Sequence, residues 1–258
     1  MDMKLRHINK LLNKWGFNIA RIVPEALPGS SGRPVGNMYT LLQDLAARGI
    51  DCKSILDVGA NKGHWSLMAK TVFPHAKFLL IEPQLEMEAA LQSTCSQNPQ
   101  MQFVLAGAGP ENTEMVLTIW KDLLGSSLLP PPEQALQISG QQRTIPIVTI
   151  DSLLQQMQFP LPELVKMDIQ GFELEALKGA TTLIGFTEVF ILEVSLIPFD
   201  NHPNLPLLWD VVQFMHQNGY VVYDFAGFGR RPYDGALGQC DICFVKANGK
   251  LRNSNAWS

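Results

Sequence analysis

The stretch Ile55-Leu-Asp-Val-Gly-Ala-Asn-Lys-Gly63 constrains the fold of this chain more than any other. A short apolar run from Ile55 to Val58 reads as a buried strand. It turns on two glycines into a helix that begins near Gly63 and runs to Phe73, with Trp65, Met68, Ala69 and Val72 at helical spacing and Pro74 as its stop. Gly59 and Gly63 open backbone torsions closed to other residues and remove side chains that would keep a ligand off the main chain. The new helix adds unpaired N–H groups. A strand, a glycine turn and a helix in this order predict an α/β fold that binds something small and polar at the turn. A dinucleotide fingerprint would need glycines at 59, 61 and 64, where the chain has Gly59, Asn61 and His64. A phosphate loop is excluded because no Gly-Lys-Ser/Thr follows. The second strand, Phe78 to Glu82, ends in an acid roughly twenty residues past Gly59, the separation at which a carboxylate meets ribose hydroxyls in nucleotide-binding α/β folds.

At 258 residues, 46% hydrophobic and 17% charged, the chain suits one large domain with appendages. Its net charge of -4 argues against a nucleic-acid partner, which needs a basic stripe. Four scattered cysteines make no disulfide framework, so reduced thiols and a cytoplasmic location are expected. No signal peptide opens the chain, and no apolar run approaches the ~20 residues of a membrane span. The N-terminal segment sets Lys4, Arg6, Lys10, Lys14 and Arg21 against Asp2, and spaces Leu5, Ile8, Leu12, Trp15 and Ile19 as a basic amphipathic helix. With the Pro- and Gly-rich loop after it, this makes residues 1–36 an appendage. Its helix either packs on the domain or rests peripherally on an anionic membrane. Residues 37–258 form the domain proper.

Within that domain Met38, Leu41, Leu42, Leu45 and Ala46 share a helical face, and Gly49 ends the helix. A helix over Met87 to Cys95 and a strand over Gln102 to Ala106 complete a βαβαβ unit. Ala106-Gly-Ala-Gly109 then follows the strand as a turn, either plain or leaving space for a ligand. Strands at Met115 to Trp120 and Thr144 to Ile150 interrupt the rhythm. Between them Lys121 to Arg143, with Gly125-Ser-Ser127 and three consecutive prolines, is long enough to be a lid or a disordered insertion. Alternation resumes with the strand Leu164 to Asp168, a helix opened by Glu173 and Glu175 and closed by Lys178 and Gly179, and a strand over Glu188 to Val194. A helix through Leu207, Val211 and Met215 leads to strands at Tyr220 to Phe225 and Asp241 to Lys246. The connection between these two leaves no room for a crossover helix, so the last strand must run antiparallel. The prediction is a doubly wound, Rossmann-like, seven-stranded sheet with helices on both faces.

The turn Asp57-x-Gly-x-Asn-x-Gly63 resembles motif I of the class I S-adenosylmethionine-dependent methyltransferases. Together with Ile150-Asp-Ser-Leu153, Lys166-Met-Asp-Ile-Gln-Gly-x-Glu173, Leu177-Lys-Gly-Ala180 and Glu193 after an apolar strand, it is similar to the FkbM-type methyltransferases from about Ser54 to Lys246. The resemblance implies an O-methyltransferase that uses S-adenosyl-L-methionine on a hydroxyl of a sugar, glycolipid or secondary metabolite. The alternative is a nonenzymatic protein on the same fold that binds the cofactor or a partner. It further implies that Asp57, Gly59, Asn61, Gly63, Glu82, Ala106, Ser126 and Asp168 surround the cofactor, with Ala106 beside the adenine and Ser126 or Ser127 touching cofactor carboxylate or acceptor. Asp168, ending its strand at the ligand crevice, is the candidate base, with Glu193 sharing that work. Alternatively the two carboxylates, with Gln170, are oxygen ligands for a divalent metal.

Overall fold

β1 (Ser54–Val58) is buried along its whole length, and the strands on either side explain why an apolar run without alternation suits that position. β2 (Lys77–Glu82) and β7 (Leu164–Met167) flank it in parallel, pairing Asp57 with Leu80 and with Lys166. The computed structural model describes residues 32–121, 123, 125–198 and 205–254, so the N-terminal helix expected within residues 1–36 lies outside the described residues. α1 (Met38–Ala47) opens with Asn37, whose side chain accepts the Thr40 N–H. α2 (His64–Val72) follows the glycine turn, and α3 (Glu88–Gln97) links β2 to β3 (Met101–Leu105).

The other elements come in chain order. β4 (Gly107–Ala108), β5 (Thr113–Thr118), α4 (Gln134–Ile138) and β6 (Gln142–Val148) are followed by α5 (Ile150–Gln156), β7, α6 (Glu173–Lys178) and β8 (Val189–Ser195). α7 (Leu208–Gln217), β9 (Tyr220–Arg230) and β10 (Leu237–Lys246) complete the domain. The main sheet has seven strands in the order β3-β2-β1-β7-β8-β10-β9, and β10 runs antiparallel to both of its neighbours. Strand geometry sends alternate side chains to opposite faces. Leu56, Val58, Leu79, Val165 and Phe190 pack with α5, α6 and α7, whereas Ile55, Phe78, Leu80, Leu164 and Ile191 pack with α1, α2 and α3. No helix among the described residues is long and apolar enough to cross a membrane.

The interruption of the α/β rhythm is a second, three-stranded sheet in the order β4-β6-β5. Within Ala106 to Gly109, expected to be a turn, Gly107 and Ala108 instead form β4, an edge strand of this sheet. A Cβ on Gly107 or Gly109 would lie 2.6 Å from an Ile147 methyl, so the small residues let β4 press onto β6. The segment after β5 is tied to this sheet through reciprocal Thr118–Ser127 backbone bonds of 2.9 and 3.0 Å, and α4 lies within it. β9 and β10 are longer than their sequence pattern suggests, because three register shifts between them break the period of two.

Gly59 shows how closely the elements meet. It has φ +79°, and a Cβ there would sit 2.0 Å from the Asp168 carbonyl oxygen. Gly49 has φ +88° and nothing within 4 Å of the same position. Both alanine variants carry torsional strain of about 1–3 kcal/mol, but only Gly59→Ala also pushes two backbones apart. Urea unfolding should therefore show the larger loss for Gly59→Ala, and equal losses would mean that torsion alone matters.

Candidate functional site

A cleft of about 390 Å³ opens at the carboxyl ends of β1, β2, β7 and β8, roofed by the small sheet and the segment after β5. Its position follows from the topology: β1 continues into helices on one face and β7 into helices on the other, so the loops diverge and leave a crevice. Its size falls within the range typical of small-molecule sites, about 300–1,000 Å³. Gly59, Asn61, Glu82, Gln84, Ala106, Ser126, Asp168, Gln170, Glu193 and Gln239 line it, with Ile81, Pro83, Leu117 and Leu128 as apolar wall.

One end is built around Glu82. The Gly59 and Ala60 N–H groups bond the Ile81 carbonyl at 2.8 and 3.1 Å, which ties the glycine turn to β2. Asn61, at φ 49°, then directs its N–H to Glu82 Oε2 at 2.7 Å, and the Gln84 N–H reaches Glu82 Oε1 at 2.9 Å. Burial pushes the Glu82 carboxyl above the usual range, while these two N–H groups oppose that rise. The Asn61 and Gln84 amides both donate to the Leu123 carbonyl at 3.2 Å, and Ser126 Oγ donates to Gln84 Oε1 at 2.9 Å. The expected lid segment thus touches the floor of the cleft at two points.

The other end holds Asp168 and Glu193. Gln170 Nε2 donates to Asp168 Oδ1 at 2.9 Å and to Glu193 Oε2 at 2.7 Å, so one amide bridges both carboxylates. Gln239 Nε2 donates to Glu193 Oε1, and Lys166 Nζ to Asp168 Oδ2 at 2.9 Å. Burial alone would raise the Asp168 carboxyl. The Lys166 ammonium outweighs it and holds Asp168 below its ordinary value. Glu193 is raised well above its own by burial and by the neighbouring charge of Asp168. Lys166 is raised as well: its desolvation is overcome by Asp168 and Asp57.

Of the residues expected around a cofactor, Gly59, Asn61, Glu82, Ala106, Ser126 and Asp168 line the cleft, as does the catalytic candidate Glu193; Asp57 and Gly63 do not. Asp57 lies fully buried beneath the turn, accepting from Ser66 Oγ at 2.6 Å with its other oxygen unpartnered. Gly63 leaves room for Leu80, Thr94 and Leu91 rather than for a ligand, so its glycine serves helix packing. Gln84, Gln239 and Lys166 went unassigned in the sequence. Lys166 stands two residues before Asp168 on one strand and so shares its face, a signal the period of two carries. Gln239 lies at a register shift that hides it. The suggested metal set is turned differently: each oxygen of Asp168 and Glu193 already faces an N–H donor. Among the described residues no three His, Cys, Asp or Glu side chains group as a metal set.

Fold and cleft together define a Rossmann-like methyltransferase architecture. Residues 57–222 match the model described as the methyltransferase FkbM domain, and the chain belongs to that family. It is 30% identical over 153 residues to the methyltransferase sdnD of Sordaria araneosa, a match covering 48% of this chain and 59% of that protein. It is 24% identical over 150 residues to methyltransferase 1 of Beauveria bassiana, covering 50% and 59%. The chain thus matches less than two thirds of the length of either relative. The crystal structure of the methyltransferase FkbM from Methylobacillus flagellatus KT superposes with a TM-score of 0.50 at 19% identity, over 82% of this chain and 48% of that one.

The raised Glu193 carboxyl has a measurable consequence. The folded chain binds its proton more tightly than the unfolded chain does, so the contribution of Glu193 to stability falls as pH climbs from the ordinary carboxylate range toward its raised value. Glu193→Gln cannot ionise, and should gain on the wild type in denaturant midpoint as pH rises from 5 to 8. A constant difference across that range would mean that Glu193 ionises at its ordinary value.

Proposed function

We propose that this chain is an S-adenosylmethionine-dependent O-methyltransferase whose acceptor is a hydroxyl on a sugar, glycolipid or secondary metabolite. The observation that carries the reading is the charge of the cleft. Its described lining includes three acidic side chains, Glu82, Asp168 and Glu193, of which Asp168 is held below its ordinary value, and no Lys, Arg or His. Such a lining suits a cationic sulfonium and repels the phosphates of a dinucleotide.

The residues present fit the cofactor. Glu82 has both oxygens anchored by backbone N–H groups, which leaves their remaining lone pairs for a pair of ribose hydroxyls. The apolar wall of Ile81, Pro83, Ala106 and Leu117 suits a flat base. When bound, S-adenosylmethionine would supply a methyl group activated by the sulfonium charge. The protein's own part is to align the acceptor and receive its proton. Asp168, kept ionised by Lys166 and oriented by Gln170, takes up the hydroxyl proton on a carboxylate oxygen. Glu193 and Gln239 fix the far side of the acceptor through their hydrogen bonds. The segment from Lys121 to Arg143 acts as the lid, and its Leu123 and Ser126 shield the Glu82 end from water.

Titration calorimetry with S-adenosylmethionine tests the reading first. Glu82→Ala should bind about tenfold to a hundredfold more weakly, the effect of losing a charged hydrogen-bond acceptor worth about 1.5–3 kcal/mol. Binding equal to that of the wild type would sink the ribose assignment. Methyl-labelled cofactor incubated with candidate hydroxylated acceptors should then give a labelled ether. Asp168→Asn should keep cofactor affinity within a few fold and lose turnover by roughly a hundredfold. Near-normal turnover would remove Asp168 as the base, and binding without transfer to any acceptor would favour a nonenzymatic role.

A further inference from the structure

Glu173 lines no part of the cleft, yet its carboxylate sits where the shape of the cleft is decided. It opens α6 and is 2% exposed. Its Oε1 accepts the Ile169 N–H at 2.9 Å and the Gly171 N–H at 3.3 Å. Between those two amides stands Gln170, held at φ 56°, a left-handed conformation that a long side chain adopts only when its surroundings impose it. Gln170 is the residue whose amide bridges Asp168 and Glu193. The turn is gripped from other sides as well. Ser127 Oγ donates to the Gln170 carbonyl at 3.1 Å, and Leu205 and Leu129 crowd the bare Cα of Gly171. Those contacts close it from outside, whereas Glu173 is what receives its inward N–H groups.

We propose that Glu173 is a positioning residue for the site: by gathering the Ile169 and Gly171 N–H groups on one buried carboxylate oxygen, it sets the turn that aims Gln170 between Asp168 and Glu193. The turn assignment stands on geometry alone, and its consequence for cofactor binding rests on the methyltransferase reading. The groups facing Glu173 are acidic: Asp168 at the end of β7 and Glu193 on β8. Burial, assisted by the Asp168 charge, raises its carboxyl to about 7, against the Ile169, Gly171 and its own backbone N–H groups, which favour the ionised form. An ionised carboxylate accepts N–H more strongly than a neutral acid. The turn is therefore held more firmly above neutrality than below it, and this proton dependence separates positioning from simple space-filling.

The experiment uses the full chain, labelled for amide NMR, with S-adenosylhomocysteine as the probe ligand. In the wild type the Ile169 and Gly171 amide resonances should move together between pH 6 and 8, with a midpoint near 7. Glu173→Gln keeps an oxygen acceptor and cannot ionise. Its two resonances should stay still over that range, while its affinity for the probe remains within about threefold. Glu173→Leu keeps the bulk and removes the acceptor, and should bind the probe about tenfold or more weakly. Amides that do not titrate in the wild type, or titrate equally in Glu173→Gln, overturn the proposal, as does wild-type affinity in Glu173→Leu. Should the leucine variant fail to fold, the wild-type and glutamine titrations decide alone. A wild type that shows the predicted titration and binds no S-adenosylhomocysteine would support the turn assignment and overturn the proposed function.

Discussion

A single buried ammonium organises the carboxyl edge of the main sheet. Lys166 is 6% exposed and stands opposite Asp57 on β1, bonds Asp168 two residues ahead, and feels Asp241 from β10. These acids come from three strands, and strand pairing puts them on one face whether or not their charges agree. Removing a charge from water is expensive unless a partner replaces the lost hydration. One cation among several carboxylates cannot satisfy them all, and the remainder are pushed above their ordinary values. Asp57, Glu193 and Asp241 are all raised, whereas Asp168, in direct contact with the ammonium, is lowered. Two carboxyls bridged by one amide are therefore shifted in opposite directions, because Asp168 and not Glu193 touches Lys166.

The frame was legible in the sequence because its signals are local and strong. β1, β2 and β7 are buried, mostly apolar runs that end at Gly59, Glu82 and Asp168, and the missing crossover before the last strand dictated its direction. Glu82 and Asp168 could be found because each ends such a run, and chain direction then sets them at the crevice. What stayed hidden depended on contacts between distant segments. Ala106 to Gly109 looks like a turn by composition, and only its fit against Ile147 makes it a strand. The glycine at 63 announces a tight turn without saying that a helix, and no ligand, needs the space. Gln84 and Gln239 carry no charge and no period, and they matter only because Leu123, Ser126 and Glu193 come to them.

The two sheets divide the labour of building the cleft. The large sheet supplies acids on rigid strand ends, where a side chain is held by pairing on both sides. The small sheet and the segment after β5 supply the apolar cover and the carbonyl of Leu123, which receives both Asn61 and Gln84. Cover and floor are thus joined by side-chain amides, bonds that break at modest cost. A surface that must admit and release a ligand is better closed by a few such bonds than by a packed core.

The place of β10 bears on how the protein is made. It lies between β8 and β9 in space but follows both in the chain, with roughly forty residues between the end of β8 and its own start. At ribosomal rates of about 5–20 residues per second, β8 waits several seconds with one edge bare. That strand is Val189-Phe-Ile-Leu-Glu-Val-Ser195, nearly all apolar and hydrogen-bonded on one side only until Cys240 to Val245 arrive. A bare apolar edge is a template for the wrong neighbour. In the nascent chain, Glu193 is the one charge within that edge, and its acid, half-buried once folded, interrupts the apolar run while the strand waits.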